Sequence, residues 1–183
     1  MTGESDMKHV NRTMLAAATV LAFATPVSAQ EACDRQCLIA IADSYVTALA
    51  NDEPDAVRWA NGAVIMENLA PIEAGAGGFD TITAGPSDFV LHVPDPVSRQ
   101  VGLLAMMREG EVPVLVGIRL QLAEASAIEE AEHLIARDLS PTQIANLQTV
   151  RPALLREVPE PYADSRARML WLGRSYYDTL DNK

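Results

Sequence analysis

The side chains best able to do chemistry cluster around one expected β-hairpin. Val112–Leu122 and Ala127–Ala136 read as strands, joined by a turn over Ala123–Ser126. With the turn centred on Glu124-Ala125, Arg119 faces Glu130, and Glu132 lies one pair further along, opposite Gly117. Alternation then puts Arg119, Glu130 and Glu132 on one face and His133 on the other, among Val116, Ile118, Leu120, Ala131 and Ile135. Two carboxylates beside a guanidinium can serve as a general base with an anion stabiliser. The same trio also describes an ion-pair ladder on a solvent face, worth only ~0–1 kcal/mol. His133 is an acid–base candidate where its apolar face lines a pocket, and otherwise a hydrogen-bonded core residue. His92, just before Pro94-Asp95-Pro96, forms a second base-like pair with Asp95, although Asp between prolines is also ordinary turn chemistry.

The rest of the inventory excludes whole reaction classes. Lys8 and Lys183 are the only lysines, so Schiff-base, pyridoxal-phosphate and Walker-type chemistry have no interior lysine to use. Gly75-Ala76-Gly77-Gly78 lacks a following Lys-Ser/Thr and reads as a mobile loop or lid rather than a phosphate site. No Gly-x-Ser-x-Gly element occurs, and neither cysteine has a histidine nearby in sequence, which argues against nucleophilic catalysis. Three histidines are too few for a His-rich metal centre, a mixed His and carboxylate site stays open, and neither metal nor cofactor is called for. Among 183 residues, 25 are acidic and 14 basic, for a net charge of −11, which argues against a nucleic-acid or anionic-membrane partner.

Several elements must position these residues. Lys8 and Arg12, the apolar run Met14–Phe23 and the small residues Val27-Ser28-Ala29 describe a signal peptide over residues 1–29, hence a periplasmic or secreted protein. No later run reaches the ~20 apolar residues of a membrane-spanning helix, so no stable membrane insertion is expected. Cys33 and Cys37, one helical turn apart in an oxidising compartment, are placed for a local disulfide at the start of the first helix. Leu38, Ile41, Tyr45 and Ala48/Leu49 make an amphipathic helix over residues 38–51, and Pro54 opens a short second helix through Trp59. Tyr45 and Trp59 are core anchors whose polar tips leave room for ligand contact at a pocket mouth. A strand from Ala63 ends at Glu67 and Asn68, where a pocket rim would lie, and a loop spans Glu73–Pro86. Strands at Phe89–Val93 and Arg99–Arg108 precede the hairpin, so helices followed by an antiparallel meander give an α+β domain over residues 31–138. Residues 139–164 read as a helical linker, with Ser140-Pro141 capping a helix to about Val150 and three prolines in Arg151–Pro161. The last helix, in 165–183, repeats the first: Ser175-Tyr176, Leu180 and Asn182 match Ser44-Tyr45, Leu49 and Asn51, which predicts the first helix of an incomplete second copy.

Cys33-Asp34-Arg35-Gln36-Cys37-Leu38, followed by Ala42 to Leu49, resembles a family of exported proteins of unassigned function related to the nuclear transport factor 2-like (SnoaL-like) superfamily. Met66-Glu67-Asn68 resembles that family's Thr-Glu-Asn-Gly element, with Leu69 departing at the glycine. Ile118-Arg119-Leu120 resembles its Arg-Leu strand and Ile128 to Glu132 its closing Ile-x-Glu-x-Glu strand, in the same order. The resemblance implies a cone, or cystatin-like roll, in which a curved antiparallel sheet wraps helices around a pocket. It spreads over isomerases, dehydratases, lyases, epoxide hydrolases and non-catalytic modules, among which fold cannot choose. The expected function is to bind a small organic molecule, with cofactor-free proton transfer as the chemistry of an enzyme. The alternative is a non-catalytic interaction module that forms a homodimer or packs against a second copy of the domain. The enzymatic reading requires His133, or the Arg119 face, to line an enclosed cavity.

Overall fold

Asp34 sits where a helix begins, and its carboxylate accepts the Cys37 N–H at 2.9 Å. A computed structural model describes residues 33–181, and α1 runs over Arg35–Asn51. The signal peptide expected over residues 1–29 lies outside the described residues. Cys33 and Cys37 are joined as a disulfide across the first turn of α1. Leu38, Ala42, Tyr45, Val46 and Leu49 form its buried stripe. The helix stops at Asp52, in a left-handed conformation at φ 54°, ahead of Pro54.

The short helix expected from Pro54 to Trp59 is instead a single 3-10 turn at Pro54–Ala56, and Trp59 opens the strand β1, Trp59–Glu67. Tertiary pairing overrides the local signal: β1 lies parallel to the last strand, with Trp59 opposite Ile128 and Glu67 opposite His133. Asn61-Gly62 falls within an irregularity where the register shifts between Trp59 and Val64. β2, Ala70–Ile72, adds an outer antiparallel strand, and the glycine-rich segment folds into a helical turn α2, Gly78–Thr81, that buries Phe79.

The meander follows as β3 (Val90–Asp95), β4 (Gln100–Glu109), β5 (Val112–Leu122) and β6 (Ile128–Ala136), giving one six-stranded sheet in the order β2-β1-β6-β5-β4-β3. The architecture is α+β, with α1 packed on the inner face of this sheet. The hairpin register corrects the expected one: Arg119 pairs with Glu132, and Gln121 with Glu130. The turn is one residue longer than expected, since Ala123 N–H bonds Ala127 O, and a register shift follows at Gln121/Leu122. Two single-residue offsets move the pairing by two, so the faces keep their expected parity.

Val101, Leu103 and Ala105 of β4, Val116, Ile118 and Leu120 of β5, and Ala131 and Ile135 of β6 meet α1 in one core. The opposite, outer face carries a smaller cluster in which Phe89 and Met106 are covered by Leu139, Leu147 and Val150. That segment includes α3, Pro141–Asn146, capped by Ser140, and is shorter than the helix to Val150 that the sequence suggests. α4, Pro152–Leu155, and α5, Arg166–Asp181, complete the described chain.

The Cys33–Cys37 bridge closes only a short loop, so its loss is expected to lower stability by about 2 kcal/mol on the loop-entropy scale. Urea unfolding of the protein with and without a reductant measures this. A loss of global folding on reduction would show that the bridge constrains more than the start of α1.

Candidate functional site

Tyr45 extends from the buried stripe of α1 to the middle of the sheet, where its hydroxyl lies 2.8 Å from His133 Nε2. His133 is fully buried, and its Nδ1 lies 3.6 Å from Glu67 Oε2. That separation is too long for a hydrogen bond, and Nδ1 has no hydrogen-bond partner among the described residues. The tautomer carrying hydrogen on Nδ1 points it at the carboxylate and leaves Nε2 to accept from the Tyr45 hydroxyl. Glu67 reaches this position because it is the register partner of His133 on the neighbouring strand. Its Oε2 also accepts the Gly78 N–H at 2.7 Å, and Arg137 Nη2 stands 3.9 Å from Oε1. A Cβ on Gly77, whose φ is +67°, would lie 2.5 Å from Oε2, so the glycine-rich run closes around Glu67 rather than forming a lid.

This environment sets the protonation of the chain. Burial lowers the His133 pKa below its ordinary 6.5, opposed by the Glu67 charge. Burial, aided by the Glu67 charge, raises that of Tyr45. Trp59 and Phe79 pack edge-on against the Tyr45 ring, with centroids 5.8 and 5.9 Å away. The Trp59 indole N–H donates to Pro54 O at 3.1 Å, so its polar tip serves the turn behind it.

A cavity of about 350 Å³ opens beside this chain, between α1 and the segment leading into β1. Ala40, Ile41, Ala56, Val57 and Ile128 supply apolar walls, and Tyr45 is among its lining residues. Ser44, Ser126 and Arg58 are its polar lining residues, and Cys37 also borders it. Arg58 Nη1 donates to Ala125 O at 2.7 Å, which ties the β5–β6 turn to the cavity wall. The sequence reading missed Ile41, Val57 and Arg58 as lining residues. Ile41 was visible on the apolar stripe, whereas Arg58 had no local signal and enters through the β1–β6 pairing.

The other expected site residues are distributed elsewhere. Arg119 donates to Glu132 at 3.0 Å and to Glu130 at 2.9 Å on the outer face, away from the cavity. Burial opposes the Arg119 charge, but Glu130 and Glu132 prevail and raise its pKa. His92 and Asp95 do not pair, because an odd spacing along β3 turns them to opposite faces. His92 Nε2 lies 2.7 Å from Asp43 of α1, whereas Asp95 receives Arg166 at 2.5 Å. The Arg166 and Ser98 hydrogen bonds hold the Asp95 carboxyl well below the usual carboxylate range. Asn68, at φ 46°, accepts the Ile135 N–H at 2.9 Å and fastens the end of β1 to β6. No three His, Cys, Asp or Glu side chains among the described residues form a metal-holding group.

No family model and no curated protein matches the chain. Solved structures do. One is SalBIII, an epoxide hydrolase/cyclase-like enzyme of pyran ring formation in polyether salinomycin, at 15% identity over 60% of this chain and 95% of that one, with a TM-score of 0.40. A second is an uncharacterised cystatin-like protein from Silicibacter pomeroyi DSS-3, at 11% identity over 63% and 82%, with a TM-score of 0.40. A third is a nuclear transport factor 2-like protein of unknown function from the same organism, at 16% identity over 54% and 92%, with a TM-score of 0.35. At these identities the likeness concerns architecture alone.

A histidine kept neutral by burial binds its proton more readily in the unfolded chain, so its contribution to stability falls as pH drops below about 6.5. Asp95 and Glu109, both held down by arginine, lose their contributions only at lower pH, below their ordinary 3.8 and 4.5. Wild type is therefore expected to lose stability between about pH 7 and pH 5, and His133→Gln to lose less over that window. Urea midpoints at each pH decide it; equal slopes for the two proteins would contradict a neutral His133.

Proposed function

We propose that this chain is an exported domain that binds a small, largely apolar organic molecule carrying one anionic or polar group. The observation that carries this reading is the open cavity of about 350 Å³, apolar on its walls and bearing one guanidinium, Arg58, among its lining residues. Its size and lining match ligand clefts in general. A guanidinium with five N–H donors, one of them engaged by Ala125, suits a carboxylate or similar head group. The leader-like residues 1–29 and the Cys33–Cys37 disulfide support export.

A second reading, cofactor-free isomerisation or elimination, draws on Tyr45 alone. Tyr45 is among the cavity's lining residues, and its hydroxyl engages His133, with Glu67 beyond it. Asp95, Arg119, Glu130 and Glu132 are not among the cavity's lining residues, so an acid–base mechanism here would run through Tyr45.

The test is titration with 8-anilinonaphthalene-1-sulfonate, an apolar anion, followed by fluorescence. Ile41→Trp fills the cavity and is expected to weaken binding at least tenfold. Arg58→Gln is expected to weaken it several-fold, while a neutral naphthalene analogue is affected little. Binding unchanged in both variants would overturn the cavity reading.

A further inference from the structure

The β5–β6 turn holds a conformation that closing the hairpin does not require. The Ala123 N–H donates to Ala127 O at 2.8 Å, which leaves three connecting residues. A connection of that length ordinarily takes a type I turn followed by one left-handed residue. Here Ala125 and Ser126 are both left-handed, each at φ 58°, and the Ala125 ψ is 23°. Neither is glycine, asparagine or aspartate, the residues that settle there most readily, so the backbone is strained at two successive positions. Strain of this kind collects at ligand clamps and active sites.

This strain lies beside the cavity. Ser126 is one of the lining residues, while Ala125 is not. The Ala125 carbonyl instead accepts from Arg58 Nη1 at 2.7 Å, and Arg58 is the cavity's guanidinium. Among the described residues, no other side chain hydrogen-bonds the turn. The main chain of Arg58 is fixed as well, since its carbonyl accepts the Ile128 N–H at 2.8 Å where β6 begins. An exposed arginine otherwise samples many rotamers, and ordering it on binding subtracts from affinity. Here the arm is tied at its root by β6 and at its tip by the turn.

We propose that Ala125 is a positioning residue, whose strained conformation preorganises Arg58 for the anionic group of the cavity's ligand. This rests on the reading of the cavity as a ligand site. The left-handed backbone at Ala125 aims its carbonyl at Nη1, which takes up one of the guanidinium N–H donors. The remaining donors serve a carboxylate or similar group from an arm already held in place. The turn is less stable than an unstrained one, but the guanidinium needs no ordering when the ligand arrives.

Ala125→Pro, held at about −65° in φ, and Ala125→Val, disfavoured at positive φ, both turn the carbonyl away from Arg58. In fluorescence titrations each should weaken 8-anilinonaphthalene-1-sulfonate binding several-fold, as Arg58→Gln does, and leave a neutral naphthalene analogue little changed. Added to Arg58→Gln, neither should weaken binding further, because both act through the same guanidinium. Ala125→Gly, free to stay left-handed, should bind as tightly as wild type or tighter. Ala125 is exposed, so these substitutions leave the core untouched, and urea midpoints confirm that each variant is folded. Wild-type affinity in both Ala125→Pro and Ala125→Val would overturn the proposal. An equal loss for the neutral analogue, additive losses in the double variants, or a matching loss in Ala125→Gly would overturn it too. Ile41→Trp keeps the two readings apart. Where it leaves binding unchanged, the cavity reading fails and this one with it. Where it weakens binding but Ala125→Pro and Ala125→Val do not, only the positioning role fails.

Discussion

The 2.8 Å hydrogen bond between Tyr45 and His133 joins the helical layer to the centre of the sheet, and the surrounding structure is arranged around it. A buried hydroxyl or imidazole without a partner would cost on the order of 1–3 kcal/mol, so helix and sheet are held in one relative position. Glu67 completes the arrangement from the adjacent strand, and the Gly77–Gly78 backbone wraps the carboxylate from the other side. Trp59 and Phe79 then seal the Tyr45 ring. A polar chain at the heart of an apolar core specifies register more sharply than further aliphatic packing would, since a slip by one residue would strand three polar groups at once.

The two faces of the sheet carry different chemistry for the same reason. The buried inner positions of β4, β5 and β6 are apolar apart from His133, and α1 packs on them. Outer positions combine leucine, valine and glycine with the Arg119–Glu130–Glu132 cluster, and only part of that surface is covered by residues 139–150. Alternation along a strand therefore separates a ligand-sized cavity, at the α1 end of the inner layer, from a partly covered apolar surface on the other side.

Much of this was legible from residue order. The buried stripe of α1, the meander from β3 to β6 and the opposite facing of Arg119 and His133 all follow from periods of 3.6 and 2, which depend on covalent geometry alone. The details that failed depended on distant partners. Trp59 read as helical because Pro54 is a strong local helix-start signal, yet pairing with β6 drew it into a strand. The expected Arg119–Glu130 pairing missed by two residues because a longer turn and a register shift in the sheet leave no distinctive sequence mark. His92 and Asp95 looked like a pair because they are near in sequence, although strand parity sends them to separate faces.

By itself, the sequence determined an α+β chain with a disulfide-capable helix start, no interior lysine chemistry, and a histidine on an apolar sheet face. The tertiary structure alone decided what that histidine touches. Parallel pairing of β1 with β6 puts Glu67 beside it, and packing of α1 puts Tyr45 over it. It also decided that Arg58, silent in sequence, lines the cavity while Asp95, prominent in sequence, serves as the anchor for Arg166. Local periodicity determines which face a side chain takes, but only long-range pairing determines its neighbours on that face.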